Sequence, residues 1–329
     1  MRKIRVALYG GNGHQLTSDF FAKCPYAEAV AACFPNRSDE WIGREYPSAK
    51  IYKTLDEMLS DEQVELVSLC SPMRCSQDVD ALACIRAKKH VYAEKPLCFS
   101  EDLLDLLLGE ARANGVEIHE RTDAVFCEPF WTARRLISEG KIGEVIQVHA
   151  QKTYPPLRGS RPQDENVDGG LIRWVGIHAI SIIEHVTGRR VFDIDAFETQ
   201  LGNPERAGLR MAAAFSMRLD NGAVATATAN YLKPDGFPLW GKEAVTVFGE
   251  KGILEINDGG IYSHIYTEKD EGAIEAAGCK DYPDALFEHL ATGVPFPLTV
   301  EEEFHPLRIV IRAKNKVDKE KNHENSGTA

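Results

Sequence analysis

Between residues 4 and 119 the chain alternates short apolar runs with helix-patterned segments, and no other feature narrows its fold as far. The apolar runs at 4–9, 28–34, 64–70, 91–93 and 116–119 have strand lengths, and helical patterns at 16–22, 78–87 and 100–114 stand between them. Apolar strands joined by helices bury both faces of a sheet only by building a parallel, doubly wound one. Thr54 and Glu57 match a capping box and add one more helix start. From about residue 121 the pattern changes. Strand candidates at 145–152, 192–198, 209–219, 223–231, 244–249 and 252–256 follow one another, several with alternating polarity, and Asp220-Asn221-Gly222 is a strong hairpin turn. They predict a large, mostly antiparallel sheet, with helices at 129–138, 171–186, 282–291 and 299–314.

The first strand runs directly into Gly10-Gly11-Asn12-Gly13-His14-Gln15. A strand, a glycine-rich turn and a helix let backbone amides approach the diphosphate of a dinucleotide. Against G-x-G-x-x-G, Gly10 is in place, Asn12 takes the second glycine position and Gln15 the third. After the second strand, where an acid would meet the ribose hydroxyls, the chain reads Phe34-Pro35-Asn36-Arg37-Ser38. Arg37 and Ser38 offer a guanidinium and a hydroxyl to a 2'-phosphate, so the expected cofactor is NADP or NAD, with NADP favoured. The expected phosphate and ribose contacts are Gly10, Asn12, Gly13, His14, Arg37 and Ser38.

Lys88-Lys89-His90-Val91-Tyr92-Ala93-Glu94-Lys95-Pro96 spans and ends the fourth apolar run. Open α/β sheets keep their ligands at the carboxyl ends of their strands, which is where Lys95 falls. Pro96 biases Lys95 toward an extended backbone. Ser71-Pro72 makes a similar strand end. Both turns are candidate cofactor contacts, through Ser71, Pro72 and Glu94.

At 329 residues the chain has room for two cores. Its net charge of −12 argues against a nucleic-acid partner and leaves a small-molecule substrate as the expectation. The start of the sequence shows no signal-like apolar core and no run long enough to span a bilayer, so the expected location is cytoplasmic, with no membrane partner. The eight cysteines lack CxxC spacing and read mostly as small buried hydrophobes, and no zinc pattern appears, so no metal is expected.

Taken together, the Gly10 turn, Ser71-Pro72, the run from Ala87 through Glu94-Lys95-Pro96 to Leu97, Arg121, Pro129, and Glu139-Gly140-Lys141-Ile142-Gly143-Glu144-Val145 resemble the glucose-fructose oxidoreductase and inositol dehydrogenase superfamily. Asp168-Gly169-Gly170 and Gly176-x-His178 extend the likeness. The resemblance implies a Rossmann nucleotide-binding domain over 1–120 and a substrate and oligomerisation α/β domain over 121–315, with a flexible tail over 316–329. It implies a homodimer or homotetramer joined through the C-terminal sheet. It further implies hydride transfer between nicotinamide and a sugar, cyclitol or related polyol or carbonyl compound, with Lys95 as acid/base and His178 orienting the reacting oxygen. Tyr154, Arg158, Arg161, Arg173 and Trp174 are further candidates for the substrate side. Four departures stand against the family pattern: Trp174 and Ser181 where Asp is frequent, Met73 where Asn is, and Ser76 where His is. They keep a second expectation open, a nucleotide- or sugar-binding homologue with impaired catalysis and a regulatory or partner-binding role.

Overall fold

The structure, a computed structural model, describes residues 2–157 and 160–327, with side chains through residue 320. Two compact units emerge, each with its own sheet. In the first, the chain order is β1 (Ile4–Tyr9), α1 (Ser18–Lys23), β2 (Ala27–Cys33), α2 (Asp39–Glu45), β3 (Lys50–Ile51), α3 (Leu55–Leu59), β4 (Leu66–Leu69), α4 (Gln77–Arg86), β5 (His90–Ala93), α5 (Glu101–Asn114) and β6 (Ile118–Glu120). The six strands are parallel in the order β3-β2-β1-β4-β5-β6. This is the doubly wound arrangement whose order reverses beside β1, so the carboxyl ends of β1 and β4 bound the ligand crevice. Val6, Ala7, Leu8, Leu66, Val67, Val91 and Ala93 are fully buried along the middle strands, as their unbroken apolar sequence requires.

The second unit contains α6 (Phe130–Ser138), β7 (Val145–Thr153), most of the chain after the single turn α7 (Glu165–Asp168), α8 (Ile177–Thr187), β8 (Val191–Thr199), β9 (Ala212–Leu219), β10 (Val224–Asn230), β11 (Lys242–Gly249), β12 (Gly252–Asn257), β13 (Tyr262–Tyr266) and β14 (Asp270–Ala273). Two helices follow, α9 (Tyr282–Thr292) and α10 (Val300–Gly327). The eight strands run β14-β13-β12-β11-β7-β10-β9-β8, antiparallel throughout except for β7 against β10. Helices α8 and α10 pack against this sheet. Along β9 and β10 every second side chain is buried, which is the alternation seen in the sequence. Between those strands Gly222 takes φ +89°, and Asn221 Nδ2 donates to Val145 O at 3.0 Å.

Three expectations need correction. The second-unit span of 121–315 is interrupted, because Asn166–Gly169 and Asp281–Thr299 join the first unit. Apolar packing explains the second case: Phe287 of α9 lies 5.5 Å from Phe20, and Tyr282 stacks on Tyr92 at 5.7 Å. The expected flexible tail from 316 begins inside α10. Lys316 there pairs with Asp193 and Asp195, and Val317 is buried. Finally, α1 begins at Ser18, with Thr17 as its cap, later than the pattern from 16 predicts.

Candidate active site

The turn after β1 is held by close backbone approach. Gly10 has φ +70°, and a Cβ there would lie 2.1 Å from Cys70 O, so only glycine fits. Gly13 has φ +118°, and its Cβ would meet the Glu94 side chain at 2.6 Å. Gln15 fills the third glycine position by bonding rather than by absence. Its amide donates to Tyr9 O, Gly10 O and Ser68 O, and its Oε1 accepts from Leu16 N and the Ser68 hydroxyl. Those bonds tie the turn to the sheet and account for the late start of α1. Asn12 Nδ2 donates to Pro72 O and Val167 O.

Beneath this turn lies a charged cluster. Glu94, at the end of β5, is fully buried in its side chain. It accepts from His14 N at 2.6 Å and Lys95 N at 2.9 Å, and its Oε2 lies 2.8 Å from His14 Nδ1. Burial pushes the carboxyl pKa up, but the His14 hydrogen bond and the Lys95, His14 and Arg74 charges outweigh it and hold Glu94 well below the usual carboxylate range. Arg74 is fully buried and donates to Asn12 O and Gln77 Oε1. Burial lowers its own pKa, and the charges of Glu94, Asp168 and Glu120 oppose that. Lys95 is 2% exposed and joined to Pro96 by a cis peptide bond. Arg121 Nη1 donates to His14 O at 2.8 Å.

The other cofactor candidates have protein partners of their own. Arg37 lies over the Trp41 ring at 4.8 Å, and Ser38 caps α2 by accepting from Trp41 N. Ser71 Oγ donates to Asp80 at 2.6 Å. Phe34, where a ribose-binding acid would stand, is buried and stacks on Tyr46 at 5.8 Å.

In the second unit, α8 is entered through a stretch of π geometry at Ile172–Gly176, and every residue of both is buried. Gly176 is needed there, since a Cβ would lie 2.8 Å from the Phe215 ring. His178 sits on the first turn of α8, and its Nε2 is 3.2 Å from Tyr154 Oη. Trp174 is buried, as a core aromatic would be. Arg173 pairs with Glu165 at 3.9 Å, and Arg161 lies over the Tyr231 ring at 3.7 Å while donating to Pro155 O. Arg158 lies outside the described residues. His178 and Tyr154 are therefore brought together in the second unit, while Glu94, Lys95, His14, Asn12 and Gly13 gather in the first.

A family model described as an oxidoreductase family with an NAD-binding Rossmann fold matches residues 4–121, and one described as the GFO/IDH/MocA C-terminal domain matches 130–255. The chain belongs to the glucose-fructose oxidoreductase and inositol dehydrogenase family. A myo-inositol 2-dehydrogenase of Thermotoga maritima is 26% identical over 210 residues, covering 62% of this chain and 60% of the relative. An NADP-dependent scyllo-inositol 2-dehydrogenase of Bacillus subtilis is 27% identical over 161 residues, covering 48% of this chain and 44% of the relative. The chain thus spans 60% or less of these two relatives. Its fold is shared with an aldose-aldose oxidoreductase of Caulobacter crescentus crystallised with glycerol, at TM-score 0.81 and 20% identity, covering 97% of this chain and 98% of the other.

A family dinucleotide fits the β1 turn. The amides of Gly11 and Gly13 have no acceptor among the described residues, and both glycines are exposed. Bare backbone donors on a glycine turn after a strand are what a phosphate needs. Sequence reasoning missed Arg74, whose only signal was a cation directly after Ser71-Pro72-Met73 at a strand end. It also missed that Tyr154 reaches His178, because no local pattern links a strand end to a helix 24 positions later.

Proposed function

We propose that the protein is an NAD(P)-dependent oxidoreductase acting on a sugar, cyclitol or related polyol or carbonyl substrate. The observation that supports this most is the state of Lys95: buried at the carboxyl end of β5, its backbone amide is held by a carboxylate that also accepts from the glycine-rich turn. In this reading Gly11, Gly13 and His14 hold the phosphates, and Lys95 takes the hydroxyl proton in oxidation or returns it in reduction. His178 orients and polarises the reacting oxygen. The nicotinamide, when bound, supplies the hydride acceptor or donor. The two inositol dehydrogenases support a cyclitol-like substrate, and the second of them supports NADP.

Self-association through the second-unit sheet belongs to the same proposal. Phe192, Phe197 and Val224 are exposed on its strands, at 70%, 69% and 49%. Light scattering of the purified protein should report a dimer or tetramer, and a monomer at working concentration would remove this part.

Calorimetry with NADP and NAD tests the cofactor, followed by a polyol and carbonyl screen. Binding of either, with turnover that Lys95→Ala abolishes, is the expected result. Binding without turnover on any substrate supports the impaired homologue, a reading favoured by Trp174 standing where the family frequently has Asp. No binding by folded protein overturns the cofactor assignment.

A further inference from the structure

Asn12 stands between Gly11 and Gly13 in the turn after β1, and its main chain is already engaged by the protein. Its N–H donates to Cys70 O at 3.3 Å and its carbonyl accepts from Arg74, so it offers no backbone donor to a phosphate. Its side-chain nitrogen donates to Val167 O at 2.5 Å and to Pro72 O at 3.2 Å. Both partners are carbonyl oxygens, which only accept, so the nitrogen of the amide must be the atom that faces them, and its two hydrogens serve both bonds. The turn after β1, the turn after β4 and the segment Asn166–Gly169 of the first unit therefore meet at one side chain. Val167 lies in α7, a single turn followed by Gly169 and Gly170 at φ +104° and +73°. So short a helix is not held by its own hydrogen bonds and needs a docking contact. From Gly170 the chain passes into the second unit and runs into the π stretch and α8.

We propose that Asn12 is a positioning residue that latches α7 to the glycine-rich turn, so that a dinucleotide held at the turn also steadies the chain leading to Trp174 and His178. This deepens the oxidoreductase reading and rests on it for its ligand. Gly11 and Gly13, whose amides have no acceptor among the described residues, flank Asn12 on both sides. Glycine has the widest backbone freedom of any residue, so the pair is a double hinge around the latch. Once both amides hold phosphate oxygens, that freedom is gone and the Asn12 side chain stays on Val167 O. The ordering cost has then been met before α7 docks, so docking and dinucleotide binding favour each other. By linkage the preference is the same in both directions. A glycine at position 12, as the fingerprint has, provides no donor for Val167 O or Pro72 O. The departure from the motif is what ties the turn to α7.

Hydrogen–deuterium exchange on the full-length protein reads the latch through peptides covering 164–172. Without dinucleotide, Asn12→Ala should speed exchange there by roughly 5- to 10-fold, the effect of about one net hydrogen bond on a local opening. Peptides from β9 and β10 should keep their rates, which separates a lost latch from general loosening. Saturating NADP, or NAD if calorimetry shows it to bind better, should slow exchange of 164–172 in the wild type by a similar factor, and this protection should vanish in Asn12→Ala. Dinucleotide affinity should fall in that variant by no more than the same factor. Unchanged exchange in dinucleotide-free Asn12→Ala overturns the latch. Protection that persists in Asn12→Ala, or a dinucleotide that binds the wild type without protecting 164–172, overturns the coupling and leaves the oxidoreductase reading standing. Folded protein that binds neither dinucleotide overturns both. If Asn12→Ala fails to fold, Asn12→Gly is read on the same peptides against the same outcomes.

Discussion

At the carboxyl edge of the first sheet, the turn after β1 is shaped largely by backbone. Gly10 and Gly13 hold conformations that side chains would block, the amides of Gly11 and Gly13 have no acceptor among the described residues, and the buried charges of Glu94 and Arg74 serve to hold the turn. In the second unit the arrangement is reversed. The backbone of the π stretch and α8 is sealed in the core, and two side chains, His178 and Tyr154, are brought together from a helix and a strand end. The first design tolerates change only where a side chain leaves the backbone alone. The second tolerates backbone packing changes poorly and depends on pairwise contacts.

The sharpest way to break the first region is to remove its buried cation. Arg74→Met leaves the Glu94 carboxylate with less compensating charge and frees Asn12 O. Losing one partner of a buried charge cluster costs about 3–5 kcal/mol. Urea unfolding should show a loss of that size, and a change below about 1 kcal/mol would mean that Arg74 is not what holds the turn. The matching break in the second region is Gly176→Ala, whose Cβ would press on the Phe215 ring at 2.8 Å. Overpacking of this kind costs about 1–3 kcal/mol. Because it acts at the join between the π stretch and α8, it should also perturb the His178 ring signals, while the same substitution at exposed Gly43, where a Cβ meets nothing within 4 Å, should not.

Acid probes the second region at another histidine. Burial, and then the charge of Arg134, lowers the His185 pKa from 6.5 to about 3. The ring stacks on Trp131 at 5.3 Å, and Arg134 lies 3.2 Å from its Nδ1. The unfolded chain takes up the proton first, so the folded state keeps its full advantage above pH 6.5. That advantage falls by about 1.4 kcal/mol per pH unit as pH drops from there toward 3. His185→Gln removes this term, so the stability difference between variant and wild type should shift in favour of the variant by about 2 kcal/mol between pH 7 and pH 5. A difference independent of pH would show that His185 takes up its proton as readily in the folded protein as in the unfolded chain.

How much of this was legible in the sequence follows the same division. The parallel sheet was readable because β1, β4 and β5 are mostly apolar, broken only by Arg5, Ser68 and His90, and β9 and β10 because their alternation survives in the structure. The β13–β14 hairpin escaped because His264, Asp270 and Glu271 dilute its pattern. Local motifs placed Lys95 at the end of a strand and His178 on a helix, where the structure has them. Arg74 and Tyr154 matter through long-range contacts, which no spacing records. Helix α9 was found, but its attachment to the first unit depends on Phe287 meeting Phe20 across 267 positions of chain.

The smallest expected effect decides what Ser38 is for. The sequence offers it to a 2'-phosphate, whereas the structure gives its Oγ to Trp41 N at 3.2 Å as the cap of α2. A cap lost to alanine costs about 1 kcal/mol. Arg37 beside it lies over Trp41 and carries no such backbone duty. If Ser38 is a cap alone, Ser38→Ala should lower stability by that amount and leave the ratio of NADP to NAD affinity unchanged, while Arg37→Ala lowers the ratio and spares stability. A fall in the ratio for Ser38→Ala equal to that for Arg37→Ala would place both on the phosphate. Asp39 and Glu40, in the first turn of α2, make that second outcome the harder one to build, because their charges face the same helix end that a 2'-phosphate would approach.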